Sequence, residues 1–373
     1  MSIQFRAAVW HGGDTAEVET LTLDELRPND VLIRVAATNV NVSEHILLLP
    51  ENEWGADPLP QVIGHGTVGI VEAVGPAVTD AKSGDRVVAT STPNCGRCWF
   101  CQRGHGYQCA EMRVVGLPYA HDADDRPVYG SAGVGGFAEL AVVPQAQVTC
   151  VHTPVSDAEI ALLAVGYGSG IGAALRTAPV EPGTVAAAVG LGVSGLAYVQ
   201  GARLAGASTI IAIDPIAGRR ELARRFGATH VVDPAHEDPV GAVRRIGGDH
   251  GGLQGAGADF VFDAAATLVG MQQAFEMTRS TGHVVLSSIP YNMADMLALP
   301  AVAAACLGRT IHSNQYGSLN VRRDIPFILD LVQKGMLDIG ALIDAEYRLD
   351  RINEAIADTA AHRVLGASVV FPT

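Results

Sequence analysis

A glycine-rich turn between an apolar strand and a helix constrains the fold of this 373-residue chain more than any other feature. The apolar run 185–189 leads into Gly190-Leu-Gly192-Val-Ser-Gly195, and a helical pattern follows over 194–204. Three glycines at this spacing allow a tight turn, a close approach of the backbone to a ligand and close helix packing. The N-terminus of the helix offers N–H donors and a positive dipole to a phosphate. The pattern therefore predicts a phosphate-binding turn at the edge of a parallel sheet.

An acidic residue at a suitable distance extends this prediction to a dinucleotide. Asp214 ends the next apolar run, 209–213, nineteen positions after the last glycine. Its carboxylate can accept hydrogen bonds from both ribose hydroxyls and would repel a 2′-phosphate, which favours NAD(H) over NADP(H), although Arg219 and Arg220 nearby weaken that preference. A packed strand-to-helix turn without a ligand is the alternative. We predict these residues to bind the cofactor: Gly190, Gly192, Val193, Ser194, Gly195, Asp214 and Arg219.

The periodicity along the chain indicates an α/β protein with two domains. The first 150 residues contain short β segments such as 30–36, 69–74 and 86–90, separated by turn residues. From about Asp157, apolar strands alternate with helical segments, which is typical of a parallel sheet covered on both faces. Past residue 316 the pattern changes again, to amphipathic helices and a terminal strand at 368–371. We therefore predict a β-rich domain formed by 1–166 and 316–373, with a dinucleotide-binding domain, 167–315, inserted between its parts.

Four of the six cysteines lie within fifteen positions, at Cys95, Cys98, Cys101 and Cys109. Four thiolates on one loop suit tetrahedral Zn²⁺ and leave no open coordination position, so the site is structural. Unligated thiols and an iron–sulfur cluster are the alternatives. We predict one structural zinc per chain, held in a lobe over residues 91–112.

The charge balance excludes some partners. Lys and Arg total 25 against 39 Asp and Glu, a formal charge of −14, which repels nucleic acid and anionic lipid. The N-terminus shows no basic stretch followed by an apolar core, and glycine or proline interrupts the longest apolar runs before about 20 residues. We expect a cytoplasmic protein that acts on a small molecule and binds neither nucleic acid nor a membrane.

The cysteine pattern CxxCxxCx7C, Gly64-His65 within GHGTVGIVEAVGPAV, the fingerprint over 190–195 and Asp324-Ile-Pro326 resemble the zinc-containing medium-chain dehydrogenase/reductase superfamily. The resemblance spans nearly the whole chain, and its C-terminal part is most similar to glutathione- or mycofactocin-linked alcohol and formaldehyde dehydrogenases. It implies a GroES-like catalytic domain with an inserted Rossmann domain. It also implies a homodimer or homotetramer formed through the Rossmann domain.

The chain departs from that family at the catalytic zinc. Family members hold this ion with a cysteine, with the histidine of a Gly-His-Glu segment and with a second cysteine. Here Asn41 replaces the first cysteine, Gly66 the glutamate and Val165 the second cysteine, and His65 remains. One imidazole and an amide do not hold Zn²⁺ against water, because affinity needs two or three nitrogen or sulfur ligands acting together. The resemblance therefore implies that catalytic zinc is absent.

Side chains around the vacant position become the candidate catalytic groups. Ser43 matches the family's proton-transferring hydroxyl, and Glu44 matches the acid that orients the histidine. Glu44 would fix the tautomer of His65 and raise its pKa, which makes His65 a proton donor, although an idle histidine is the alternative. The resemblance also places Ser169 beside the nicotinamide. The remaining candidates are Asn41 and Tyr167 as catalytic residues, and Trp54 and Ser91 in the substrate pocket.

These residues predict a change of chemistry. Without the metal, an alkoxide loses several kcal/mol of stabilisation. Reduction of an activated C=C or C=N bond needs a hydride, a hydrogen-bond donor for the developing negative charge and a proton. We expect NAD(H)-dependent reduction of a small conjugated substrate. The alternatives are a zinc-independent alcohol dehydrogenase or carbonyl reductase that uses side-chain donors, and a non-catalytic dinucleotide-binding protein.

Overall fold

A computed structural model describes residues 3–49, 57–287 and 295–372. The chain divides into two compact units. The first unit consists of Met1–Gly166 and Asn320–Thr373, and the second consists of Tyr167–Leu319. The second unit therefore ends four residues beyond the predicted position 315.

The first stretch of the first unit is rich in β-structure. Its elements are β1 (Gln4–Trp10), β2 (Glu17–Leu23), β3 (Asp30–Val40), α1 (Val42–Leu47), β4 (Gln61–Val62), β5 (Gly66–Val74), β6 (Arg86–Thr90), β7 (Val115–His121), β8 (Pro127–Ser131), β9 (Leu140–Pro144), β10 (Val148–Cys150) and α2 (Asp157–Leu162).

The second unit alternates strands with helices, as its sequence predicts. Its elements are α3 (Gly168–Gly172), β11 (Val185–Val189), α4 (Val193–Leu204), β12 (Thr209–Ile213), α5 (Ala217–Phe226), β13 (His230–Val232), α6 (Pro239–Gly247), β14 (Ala258–Asp263), α7 (Leu268–Met277), β15 (Thr278–Leu286), α8 (Ala301–Cys306) and β16 (Thr310–Ser313).

The six strands of the second unit form one parallel sheet with the order β13-β12-β11-β14-β15-β16. This order reverses direction between β11 and β14, and ligands of such sheets bind at the carboxyl ends of the strands beside that point. The glycine-rich turn directly follows β11 and therefore lies there. Apolar residues such as Val189, Ile211 and Val261 pack into the core beneath the helices.

The C-terminal stretch completes the first unit with α9 (Val321–Gln333), β17 (Ala345–Tyr347), α10 (Ile352–Ala360) and β18 (Ala367–Val370). Strand β18 pairs with β3, joining a sheet of order β10-β6-β5-β3-β18-β17 to which β9 adds on β3. The strands β1, β2, β7, β8 and β4 close into a barrel. The pairing of Ala37–Val40 with β18 explains why β3 continues beyond the predicted end at position 36.

A helical stretch over Asp157–Thr177 corrects one expectation. Among the described residues this stretch of 21 is long and apolar enough to cross a bilayer by length and composition. Gly166, Gly168, Gly170 and Gly172 do not interrupt it, because the backbone continues through α2, α3 and two π-helical segments. Of its most apolar 18-residue window, 78% is buried inside the fold, as in the core helix of a compact protein.

Candidate functional site

Helix α1 of the first unit positions three of the predicted catalytic residues. Asn41 caps this helix, because its Oδ1 accepts a hydrogen bond from the backbone N–H of Ser43 at 3.3 Å. Glu44 completes a capping box, since its Oε2 accepts from the backbone N–H of Asn41 at 2.8 Å. The side chain of Asn41 is therefore used to begin the helix. Its structural role is to hold Ser43 and Glu44 in place.

His65 and Glu44 form a partly buried pair joined by a hydrogen bond. Nδ1 of His65 lies 2.6 Å from Oε1 of Glu44, and the two side chains are 19% and 2% exposed. A carboxylate only accepts hydrogen bonds, so Nδ1 carries the proton in this contact. Burial lowers the pKa of His65, but the negative charge of Glu44 and the hydrogen bond outweigh it, so the net pKa is raised above 6.5. His65 therefore keeps its second proton to a higher pH than a free histidine does.

The other ring nitrogen of His65 faces a hydroxyl. Its Nε2 lies 3.4 Å from Oγ of Ser43, so Ser43, His65 and Glu44 form a continuous hydrogen-bond chain. The backbone N–H of Ser91 donates to the carbonyl oxygen of His65 at 3.1 Å, which places this predicted pocket residue beside the chain. Gly64, with φ of +95°, supplies the left-handed turn that precedes His65. The predicted Trp54 lies outside the described residues.

The two positions that flank His65 in the family's metal site are packed together here. A Cβ atom added to Gly66 would lie 2.3 Å from a methyl carbon of Val165 and 3.1 Å from the side chain of Ala164. A methyl group of Val165 therefore fills the space that a side chain at position 66 would need. Nothing in this packing offers a metal ligand.

Tyr167 does not belong to the exposed donors. Its side chain is fully buried in the second unit, and its hydroxyl donates to Oε1 of Gln200 at 3.4 Å. This hydroxyl is enclosed in the core, which does not favour contact with a substrate, and a catalytic role for Tyr167 stays a prediction. The sequence did not predict this burial, because a tyrosine beside several glycines is equally compatible with a loop and with a core position.

The glycine-rich turn of the second unit has the geometry that a pyrophosphate needs. Gly190 takes φ of +84°, and a Cβ atom on Gly195 would lie 1.9 Å from the carbonyl oxygen of Gly190. By contrast, a Cβ atom on Gly192 would meet nothing within 4 Å. Gly192 therefore leaves an open face at the start of α4, where Val193 and Ser194 form the first turn. These residues fit a dinucleotide whose phosphates lie at the helix N-terminus.

Asp214 is held rigidly beside this turn. Its Oδ2 accepts from the backbone N–H of Leu191 at 2.8 Å, and its Oδ1 accepts from Ile216 at 2.7 Å. Each carboxylate oxygen keeps a further lone pair that can accept a ribose hydroxyl. Arg219 approaches Oδ2 at 4.0 Å, while Arg220 donates to the backbone oxygen of Asp214 at 2.6 Å.

Ser169 lies in a polar cluster that sequence reasoning missed. Its Oγ is 3.2 Å from Oγ of Ser287, and Nδ2 of Asn314 donates to both hydroxyl oxygens, at 3.0 and 2.8 Å. Thr177 donates to Oδ1 of Asn314 at 2.8 Å. Ser287 follows β15 and Asn314 follows β16, at the carboxyl ends of their strands. Their position directly after these strands could have identified them in the sequence, because ligands of parallel sheets bind at this edge.

The four cysteines of the lobe converge in the first unit. Their sulfur atoms all lie within 4.8 Å of one another, and the Cys95–Cys101 and Cys98–Cys109 pairs are each 4.0 Å apart. Tetrahedral zinc with bonds of about 2.3 Å needs sulfur atoms roughly 3.8 Å apart, so the set fits this ion. Among residues 3–49, 57–287 and 295–372 this is the one cluster of three or more possible ligands.

Backbone hydrogen bonds favour the deprotonated form of one cysteine in the cluster, and burial disfavours the deprotonated form of another. The N–H groups of Ala110 and Cys101 lie 3.5 Å from Sγ of Cys98 and lower its pKa to about 6. Burial raises the pKa of Cys109 to about 12. Four thiolates this close repel one another, so a bound cation is what allows all of them to be deprotonated.

Comparisons with known proteins agree with this architecture. Residues 27–154 match the family model of the alcohol dehydrogenase GroES-like domain, and residues 193–334 match that of the zinc-binding dehydrogenases. An S-(hydroxymethyl)glutathione dehydrogenase of Escherichia coli O1:K1 / APEC is 32% identical over 360 residues, which cover 94% of this chain and 95% of that relative.

Two solved structures extend the comparison. An alcohol dehydrogenase zinc-binding domain protein from Burkholderia ambifaria has a TM-score of 0.91 at 28% identity, and the match covers 100% of both chains. A zinc-binding dehydrogenase from Sinorhizobium meliloti 1021 bound to NADP has a TM-score of 0.78 at 26% identity, covering 99% of this chain and 100% of that one.

This chain therefore belongs to the zinc-type alcohol dehydrogenases of the medium-chain dehydrogenase/reductase superfamily. It is an oxidoreductase that uses NAD(P). The predicted superfamily, the GroES-like and Rossmann folds and the enzyme class are confirmed.

Proposed function

We propose that this protein is an NAD(H)-dependent reductase without catalytic zinc, which reduces an activated C=C or C=N bond of a small conjugated substrate. The observation that carries the proposal is the hydrogen-bond chain from Ser43 through His65 to Glu44, beside packed Gly66 and Val165. The site offers one imidazole and one hydroxyl where the family places metal ligands. A proton donor is what these groups supply best.

The residues support each part of such a reduction. When bound, the nicotinamide supplies the hydride, which reaches the β-carbon of an unsaturated carbonyl. The C=C electron pair then moves to the carbonyl oxygen as an enolate, and protonated His65 donates a hydrogen bond that stabilises this charge. A proton passed through His65 or Ser43 ends on the α-carbon. The raised pKa of His65 keeps that proton bound to a higher pH than in a free histidine.

The prediction of a structural zinc rests on the four cysteines of the lobe and is independent of the residues around His65. Cys95, Cys98, Cys101 and Cys109 would hold one ion that stabilises the lobe and takes no part in the reaction. We propose that this is the one zinc of the chain.

Asp214 supports NAD(H) as the preferred cofactor. Two backbone N–H groups fix its carboxylate, so it cannot turn away from a 2′-phosphate, and the repulsion remains. Arg219 at 4.0 Å offsets part of that repulsion. We expect a preference for NAD(H) that is moderate in size.

A second candidate is a zinc-independent alcohol dehydrogenase or carbonyl reductase. The contact of 3.4 Å between Ser43 and His65 favours it, because the same two groups can move a proton to or from an alcohol oxygen. The 32% identical relative from Escherichia coli O1:K1 / APEC is an S-(hydroxymethyl)glutathione dehydrogenase, which also agrees with alcohol chemistry.

Transfer of deuterium separates the two candidates. The protein is incubated with cofactor deuterated at C4 and with conjugated enones, imines and the matching alcohols and aldehydes, and the products are analysed by NMR. We expect deuterium on the carbon β to a retained carbonyl, or on the carbon of a former C=N bond. Deuterium on the carbonyl carbon alone would overturn the first proposal in favour of the second.

We also propose a homodimer or homotetramer formed through the Rossmann unit. Strand β16 is the edge of the six-stranded sheet, and Ile311 on it is 45% exposed. Such an edge can pair with its copy across a two-fold axis. Light scattering of the purified protein gives the mass that tests this.

A further inference from the structure

A cavity of about 390 Å³ lies in the first unit, at the base of the cysteine lobe. Four separate segments form its wall, and they are represented by Arg27, Pro93, Arg113 and Gln147. Pro93 precedes the first cysteine of the lobe, and Arg113 follows the last. None of the residues around His65 lines it. Its volume lies within the range of small-molecule sites, about 300–1,000 Å³.

The charges around this cavity leave one cation uncompensated. Arg27 pairs with Asp30 through Nε at 2.8 Å, and Arg97 pairs with Glu111 at 2.6 Å, so both acidic residues of the wall already have partners. Arg113 makes no hydrogen bond or ion pair with any residue that the structure describes. Arg113 is exposed, and in a protein of net charge −14 its unpaired guanidinium is a position where an anion can bind.

A buried amide adds a second, independent feature. Gln147 is 5% exposed, and its Nε2 donates to the carbonyl oxygens of Thr90 and Ala132 at 2.8 and 3.1 Å. These two bonds use both amide hydrogens and fix the orientation of the group. Within the described ranges, Oε1 of Gln147 then has no donor. This oxygen is not fully buried, so it is open to accept a hydrogen bond from a hydroxyl that a ligand brings.

We propose that this cavity binds a small organic anion, a carboxylate or phosphate ester that carries at least one hydroxyl group. Arg113 holds the anionic group together with the free Nη2 of Arg27, and Oε1 of Gln147 accepts the hydroxyl. Pro93, Pro144 and Ala146 supply apolar walls of the cavity. The site is separate from the groups assigned to reduction and does not depend on that proposal.

The experiment is calorimetric titration of the zinc-loaded protein with three probes of similar size: glycerate, glycerol 3-phosphate and glycerol. We expect at least one of the anions to bind saturably with one site per chain, and glycerol not to bind. The two anions separate a carboxylate ligand from a phosphate ester. Failure of both anions to bind would overturn the proposal.

Substitutions locate the binding. Arg113→Gln removes the free charge at an exposed rim position, and we expect affinity to fall at least about tenfold, because hydrogen bonds to charged groups are the strong ones. Arg225→Gln on α5 removes an equal charge from an exposed residue that does not line the cavity, and affinity should stay unchanged. Ala146→Phe fills the cavity and should abolish binding. An anion that binds equally to the Arg113→Gln variant occupies another site, such as the glycine-rich turn, and that result would contradict the proposal.

Discussion

The cysteine lobe and the region around His65 are two parts of one unit, and the family places zinc in both. In the lobe, four sulfur atoms lie within 4.8 Å of one another. Around His65, one imidazole pairs with Glu44 while Val165 packs against Gly66. Metal binding is cooperative among ligands, so loss of two or three of them removes the ion while the fold persists. Under the proposed function, the fold keeps the zinc that holds the lobe and lacks the zinc that performs chemistry.

The largest effect is expected in the lobe. Cys98→Ser removes a ligand, so the zinc content should fall from about one per chain to near zero, and the melting temperature should fall by roughly 10 °C. Metal analysis and thermal unfolding measure both. Cys150→Ser is the matched control, because the Cys150 sulfur contacts the carbonyl oxygen of Asp80 and lies outside the cluster. Two zinc ions per wild-type chain would contradict the proposal that zinc binds in the lobe and not beside His65.

The next effect concerns catalysis. His65→Ala removes the proposed proton donor, and kcat/KM for the reduction should fall by roughly 10²–10³. His105→Ala, at an exposed position of the lobe, should leave the rate unchanged. The Kd for NADH, measured by fluorescence, should also stay constant in both variants, because the glycine-rich turn belongs to the other unit. An unchanged rate in the His65 variant would show that this histidine is idle.

The comparison can also be reversed by design. Asn41→Cys combined with Val165→Cys returns two thiolates beside His65, and the zinc content should rise from about one to about two per chain. The first change removes the cap of α1 and should cost about 1 kcal/mol of stability. Each single variant is its own control and should keep one zinc, because two ligands do not suffice. No gain of zinc in the double variant would indicate that these positions do not face one another.

The smallest effect is a change of pH dependence. The raised pKa of His65 means that its protonated form, and the stability from its pairing with Glu44, are present below pH 6.5 and lost as the pH rises through the raised value. Glu44→Gln removes the charge, and burial then lowers the pKa. The decline of kcat with rising pH should therefore begin at lower pH in this variant. A profile that does not move would exclude His65 as the titrating donor.

Local patterns in the sequence were sufficient for much of the fold. The runs 185–189 and 209–213 coincide with β11 and β12, because apolar strands of a parallel sheet are continuous and their ends are marked by turn residues. The cysteine spacing likewise predicted the cluster, since ligands on one short loop need no distant partner. These features depend on residues close together in the chain.

The candidate site was only partly predictable. The resemblance named Ser43, Glu44 and His65, but their separations of 3.4 and 2.6 Å follow from the way α1 packs against the segment before β5. The burial of Tyr167 has no local signal, nor does the cluster of Ser169 with Asn314.

The sequence by itself determined the strand and helix pattern, the glycine-rich turn and the four-cysteine loop, because each of them depends on residues that are neighbours in the chain. Only the tertiary structure decided that Val165 fills the space beside Gly66 and that Arg113 and Gln147 line one cavity. The physical reason is that such contacts join segments distant in the chain, and their geometry is set by packing of the whole unit.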